Sequence, residues 1–197
     1  KGTGAWQQVF VPLTVTQPNE QQIRVQVYET TASTNFDLDG AELINSGLTN
    51  ASFAKQPEYC GPPPGWFLNA NGGTENACAY NKPSGAQQGS TYLEFNANVA
   101  GASVGQNIGI APQIGQSYTF STWVKAPSGS TGTLAIFGLQ ANDAIGDMMT
   151  TPIKGTGAWQ QVFVPLTVTQ PNEQQIRVQV YETTASTNFD LDGAEMH

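Results

Sequence analysis

Gln174-Gln175-Ile176-Arg177-Val178-Gln179-Val180-Tyr181-Glu182-Thr183 decides the fold class. Ile176, Val178 and Val180 fall on one side of an extended chain, and Arg177, Gln179 and Tyr181 on the other. A period of two is the signature of a strand with one buried face. The pattern recurs in both directions. In Tyr118–Lys125, Tyr118, Phe120, Thr122 and Val124 alternate with Thr119, Ser121, Trp123 and Lys125. Leu93 and Phe95 alternate with Tyr92, Glu94 and Asn96. Trp159–Val168 carries Val162, Val164, Leu166 and Val168 on one side, while Thr133–Gln140 and Gln106–Ala111 are shorter candidates. Pro, Gly, Asn and Ser bound these runs, as in Ala126-Pro127-Ser128-Gly129-Ser130 and Gln170-Pro171-Asn172-Glu173. Such residues fix turns through φ or through side-chain bonds to the backbone. Many short strands and no convincing helix predict an all-β β-sandwich.

The segment Gln56–Gly89 breaks the pattern. It holds Pro62-Pro63-Pro64-Gly65 and Asn71-Gly72-Gly73, and reads as a long surface excursion. Cys60 and Cys78 lie within it. They read as one disulfide pinning the excursion, or as two free thiols.

Lys1–Glu42 recurs letter for letter as Lys154–Glu195, an offset of 153, and Leu43 then stands opposite Met196. The distinct sequence is one domain of ordinary size. We divide the chain into 1–43, a duplicate of the C-terminal three-strand segment, and 44–197, the sandwich domain. The repeat is either a slice of a tandem array or an engineered duplication. The body between the copies occurs once, so either copy could complete one sandwich.

Composition removes several function classes. Lys and Arg number 7 against 15 Asp and Glu, for a net charge of −8 in 197 residues. A phosphate-tracking groove needs clustered cations, so nucleic acid is excluded as a partner, and so is an anionic membrane surface. No apolar run approaches the roughly 18 residues of a membrane span. The single histidine, His197, is the last residue and reads as a scar or tag, which removes histidine-dependent catalysis. The chain opens at Lys1 without a signal-peptide pattern, and reads as a processed or excised piece of a secreted, cell-surface protein.

The order of motifs carries a family resemblance. Leu48-Thr49-Asn50-Ala51-Ser52-Phe53 is followed by Gly65-Trp66 and Ser90-Thr91-Tyr92-Leu93-Glu94-Phe95. Gly115-Gln116-Ser117-Tyr118-Thr119-Phe120-Ser121-Thr122-Trp123-Val124-Lys125-Ala126 comes next, then Trp159-Gln160-Gln161-Val162. Ile176–Tyr181 and Asn188-Phe189-Asp190-Leu191-Asp192-Gly193-Ala194 close it. Over roughly 48–196 this resembles the galactose-binding-like jelly-roll domains, among them the carbohydrate-binding modules attached to secreted bacterial glycanases. The resemblance implies two antiparallel sheets, with ligand across a concave face or in loops at one edge. It also implies a structural calcium, for which Asp192 (copy Asp39) would be the last-strand ligand. The acidic residue that usually follows the Asn…Phe pattern is Ala54 here, a departure from that site. The other reading of Asp190-Leu191-Asp192 is a solvated edge or turn cap.

Sugars are held by aromatic platforms and planar polar side chains. If the three strands share one sheet, their non-core sides would bring Trp123, Tyr181 and Tyr92 together, with Arg177, Gln179, Glu94 and Asn96 between them. That set is the candidate polysaccharide-binding face. Aromatics so placed also serve as cross-strand pairs, which is the competing reading. Trp66 reads as a core lid, Phe137 as buried, and Met148 and Met149 as packed in or beside a strand. Catalysis finds no support. Asp143 and Asp147 lie in a turn-like stretch with no partner nucleophile, and there is no G-x-S-x-G, P-loop or dinucleotide fingerprint. Two functional readings remain. One is a non-catalytic secreted carbohydrate-binding module. The other is a structural repeat of a surface adhesin or filament, assembling with copies of itself by strand complementation.

Overall fold

A computed structural model of the protein describes residues 47–53, 61–73, 85–89 and 91–197, and the backbone of 75–80. The first copy of the repeat, with Asp39, lies outside these residues, as does Cys60, and the side chain of Cys78 is not among them. Ten strands make up the described fold. They are β1 (Phe67–Asn69), β2 (Glu75–Tyr80), β3 (Tyr92–Ala97), β4 (Ser103–Ile108) and β5 (Ser117–Lys125), then β6 (Thr131–Leu139), β7 (Ile145–Lys154), β8 (Trp159–Thr167), β9 (Gln175–Glu182) and β10 (Asn188–Met196).

They form two five-stranded sheets, ordered β1-β4-β9-β6-β7 and β2-β3-β10-β5-β8, with every neighbouring pair antiparallel. The chain crosses between sheets at every connection except β2–β3 and β6–β7. This is the predicted β-sandwich. Among the described residues, no helix is long and apolar enough to cross a membrane.

The alternation places the core as expected. Val104, Ile108, Leu134, Ile136, Ile176, Val178 and Val180 from the first sheet meet Leu93, Phe95, Phe120, Val124, Val164, Phe189 and Leu191 from the second. The inner faces are therefore branched aliphatics and Phe, the residues that fill a pleated interface without polar atoms. Trp66 closes one end as a lid, 5.1 Å from Phe53 and tilted at 45°. Its indole N–H donates to the Thr49 carbonyl at 3.1 Å. Gln106 turns into the same corner and bonds both the amide and the carbonyl of Thr49, so its burial leaves no polar atom unmatched.

Three features depart from the sequence reading. The excursion Gln56–Gly89 contains two strands, β1 and β2, too short or too weakly alternating to register as such. β7 had no place among the expected strands. It is an edge strand rich in Thr and Met, and Met148 and Met149 are exposed on it rather than packed. Pro152 and Pro165 lie in β7 and β8, each at an edge of its sheet, where a missing N–H breaks no ladder. The turn-like Asn142–Asp147 stretch resolves into a tight turn and the start of β7. Asn142 (φ 60°, ψ 31°) and Asp143 (φ 61°) both occupy the left-handed region, and Ala144 N–H points back to the Ala141 carbonyl. These are the two central positions of a type I′ hairpin turn, where Asn and Asp are favoured.

Candidate functional site

The outer face of the first sheet is a groove of 590 Å³. Strand register builds it in three rows. One row runs Asn107–Arg177–Phe137–Met148 across β4, β9, β6 and β7. The next runs Phe67–Gly105–Gln179–Ala135–Thr150, and the third Asn69–Ser103–Tyr181–Thr133–Pro152. Gly105, Ser103 and Ala135 keep the floor low, and rings stand at its sides. Phe67 and Leu68 of β1 line one side, and Ile145 of β7 with the buried Phe137 of β6, as expected of that residue, the other.

Polar groups on the floor hold one another in place. Arg177 Nε donates to Asn107 Oδ1 at 2.6 Å, Arg177 Nη2 lies 3.1 Å from Asp143 Oδ1, and the guanidinium stands 5.6 Å from the centre of the Phe67 ring. Gln179 Nε2 donates to Ser103 Oγ at 2.9 Å, while its Oε1 accepts the Tyr181 hydroxyl at 2.8 Å. Burial pushes the Tyr181 hydroxyl above its ordinary range, against the opposing pull of the Arg177 charge. The floor therefore offers amide, hydroxyl and guanidinium groups between apolar walls. Among the described residues, none that lines it carries a carboxylic acid.

The expected single binding face does not form. Arg177, Gln179 and Tyr181 stand on β9 in the first sheet, whereas Trp123 stands on β5, and Tyr92, Glu94 and Asn96 on β3, in the second. Alternation within one strand is local. Which sheet a strand joins is set by its crossover, and β9 and β10 cross between sheets. On its own sheet Trp123 pairs with Asp192 and Gln161 and is half-buried. Tyr92 is buried edge-on against Trp159, with ring centres 6.1 Å apart. Asn96 donates to the Thr187 carbonyl and to Asn188 Oδ1. Glu94 lies opposite Asp190, which pairs with Lys125 at 3.3 Å. These four residues stand in the packing of the second sheet's outer side.

Asp192 is a latch on that side. Its Oδ2 accepts the N–H groups of Gln87 and Gln88 at 2.8 and 2.7 Å, and its Oδ1 accepts the Gly193 N–H at 2.8 Å. Burial pushes its carboxyl above the ordinary range, although all three N–H bonds pull the other way. A calcium ion needs several oxygen ligands. Here both carboxylate oxygens face the positive ends of N–H dipoles, and among the described residues no three His, Cys, Asp or Glu side chains gather to hold a metal. Among the described residues, the Asp192 carboxylate is thus engaged by N–H donors. Trp159 fastens the same segment, donating from its indole N–H to the Gly85 carbonyl at 3.1 Å.

Asp143 and Asp147 bind different partners. Asp143 accepts from Gln175 Nε2 at 2.9 Å as well as meeting Arg177. Asp147 accepts from the backbone of Thr169 and Gln170 and from the Thr169 hydroxyl. Phe67, Asn69, Asn107 and Phe137 complete the groove and were not among the candidates. Phe67 and Asn69 fall in a segment whose Pro-Gly content reads as loop. Asn107 and Phe137 lie on strands whose sheet neighbours only the topology reveals. The small residue at 105 is the one local hint, because a glycine inside a strand marks a close approach.

The fold places the chain among known proteins. The TmCBM61 structure, solved in complex with β-1,4-galactotriose, is 17% identical with a TM-score of 0.57, over 78% of this chain and 99% of that one. The CBM22-1 xylan-binding domain of Paenibacillus barcinonensis Xyn10C is 15% identical with a TM-score of 0.53, over 70% of this chain and 87% of that one. The enzymatically active domain of bacteriophage CBA120 tailspike protein 4 is 15% identical with a TM-score of 0.61, over 77% of this chain, which spans only 21% of the tailspike chain. At these identities the likeness is one of fold. No curated protein sequence matches the chain. A family profile, described as a carbohydrate binding domain, matches residues 47–187. With most of the sandwich inside that match, the chain belongs to the carbohydrate-binding domain family.

Proposed function

We propose that the chain is a non-catalytic module that binds a polysaccharide in the groove on the outer face of the first sheet. The observation that carries this reading is a floor where exposed Asn107 and half-buried Arg177 and Tyr181 stand beside half-buried Phe67, over a buried Gln179 that braces Tyr181. Fixed donors and acceptors meet sugar hydroxyls, while the rings cover the C–H surfaces of the pyranose. Among the described residues, none that lines the groove carries a carboxylic acid, which supports binding over hydrolysis. Galactan and xylan are the first polymers to try, because fold neighbours are described with galactotriose and as xylan-binding. The module would work outside the cell, tethering a larger protein to its polymer.

Affinity electrophoresis through gels containing β-1,4-galactan, xylan or another neutral glycan tests this. Arg177→Ala should weaken retention by roughly tenfold or more, the scale of a lost charged hydrogen bond. Trp123→Ala, on the opposite face, should leave it unchanged. Retention lost with Trp123→Ala and kept with Arg177→Ala would sink the groove reading.

A second reading concerns assembly. Residues 154–195 supply β8, β9 and β10, including the central strand of each sheet. Residues 1–42 carry the same letters. We propose that this duplicate serves as a donor of the same three strands to another copy of the chain, in a surface assembly built by strand complementation.

A further inference from the structure

Arg177 is the one charged residue among the described residues lining the groove, and its charge is met from the rim. We propose that Asp143, at the tip of the β6–β7 hairpin, sets the charge of this groove and discriminates against glycans that carry carboxylates. The inference rests on the groove being the polysaccharide site and names which chains that site refuses.

Local structure aims the carboxylate. The type I′ turn at Asn142 and Asp143 reverses β6 into β7, and its second central residue reaches back over the neighbouring β9. Asp143 Oδ1 then accepts from Gln175 Nε2 at 2.9 Å and meets Arg177 Nη2 at 3.1 Å. The Arg177 side chain is 22% exposed and that of Asp143 58%, so an incoming chain meets both. Asn107 takes the Nε of the guanidinium, and Phe67 stands at its face. Asp143 occupies an outer N–H edge, the place a sugar carboxylate would take in a bidentate pair. A uronate arriving there must displace Asp143 and leave it unpaired beside a second negative charge. A neutral sugar can use the remaining guanidinium donors without that displacement. An unpaired charge left against the wrong ligand is how binding sites acquire selectivity. The chain's net charge of −8 acts in the same direction at longer range.

The test compares retention on a neutral polymer, β-1,4-galactan or xylan, with retention on polygalacturonate, at low and high salt. Asp143→Asn keeps the size of the side chain and removes its charge. Its retention on polygalacturonate relative to the neutral polymer should gain roughly tenfold at low salt, and that relative gain should be lost in high salt. Asp143→Glu should keep the refusal of polygalacturonate. The gain should vanish in Asp143→Asn combined with Arg177→Ala, because Arg177 is the group unmasked. A melting temperature within a few degrees of the parent shows that the effect is one of charge. No gain with Asp143→Asn, or a gain that survives loss of Arg177 or high salt, overturns the proposal. Failure of the groove reading looks different: Arg177→Ala would then leave neutral-polymer retention unchanged.

Discussion

Phe67 leans over Gly105 so closely that a β-carbon on the glycine would come within 2.7 Å of its ring, as well as 2.5 Å from Gln179 Cγ and 2.6 Å from the Val178 carbonyl. The first wall of the groove and the middle of its floor therefore rest on a missing side chain. Gly105→Ala should push Phe67 and Gln179 apart and perturb the floor. We expect destabilisation of about 1–3 kcal/mol, the usual cost of overpacking, together with weaker glycan retention. Thermal unfolding and gel retention on the same samples check it. Unchanged values in both would mean that the Phe67 wall is free to move aside.

Asp192→Ala should release the segment that covers the second sheet. Three N–H groups would lose their acceptor, two of them on Gln87 and Gln88. Leaving such donors unmatched costs about 1–3 kcal/mol each where they stay buried, less where water reaches them. The expected result is a lower melting temperature and a red shift in the emission of Trp159, which is hydrogen-bonded to Gly85 in the same segment. Glycan retention in the opposite groove should survive at temperatures where the variant is folded. Equal melting temperatures for variant and parent would show that Asp192 does not hold this segment.

Much of this architecture was legible in the letters, and the limit of legibility was physical. Alternation in Gln174–Thr183 and Tyr118–Lys125 named the inner-face residues correctly, because pleating forces every second side chain to one side. It could not say that Arg177 and Trp123 belong to different sheets. The residues that decide this are in the crossovers, and their destination depends on the packing of the whole sandwich. Part of the groove was legible as Arg177, Gln179 and Tyr181. Phe67 was not, because three residues of strand beside a Pro-Gly turn carry no period. Asp192 entered as a calcium ligand through the family resemblance, and its three N–H partners, which the letters do not place, came only with the fold.

Acid should stabilise this domain before it harms it. Burial holds Glu173, Glu182 and Asp192 above the ordinary carboxylate range, and the nearby Asp147 charge adds to the rise at Glu173. An acid whose pKa is raised on folding holds its proton in the folded chain when the unfolded chain has released it. Between the ordinary value and the folded value, stability therefore falls as pH rises. Asp147 works the other way. Although desolvation opposes it, the Thr169 and Gln170 donors lower its pKa, so its contribution is lost on acidification through that lowered value. Glu173, Glu182 and Asp192 therefore make stability fall as pH rises from the ordinary carboxylate value to their raised values, and Asp147 makes it fall on acidification below the ordinary value. Glu173 Oε2 is buried without a partner, and Oε1 accepts the Asp147 N–H at 2.7 Å. Glu173→Gln keeps an acceptor and removes the charge. It should raise stability near neutral pH by about 1 kcal/mol and flatten the pH profile. Denaturant unfolding at a series of pH values reads both, and a steeper profile in the variant would contradict the assignment.

The repeated strands can be tested without removing either copy. Val178 is fully buried at the centre of β9, and its counterpart in the first copy is Val25. An aspartate at Val178 places an unpaired charge in the core, a cost well beyond about 4 kcal/mol and enough to unfold a marginal domain. If the duplicate can donate strands, Val178→Asp should still unfold cooperatively and bind glycan, because the intact copy from another chain takes the slot. Its mass by light scattering should then rise with concentration. Val25→Asp alone should be silent, and the pair should abolish folding. An unfolded Val178→Asp beside a normal Val25→Asp would show that the first copy cannot complete the sandwich. Identical letters make identical burial available to both copies. Any preference between them must then come from the connections, since the strands themselves are the same.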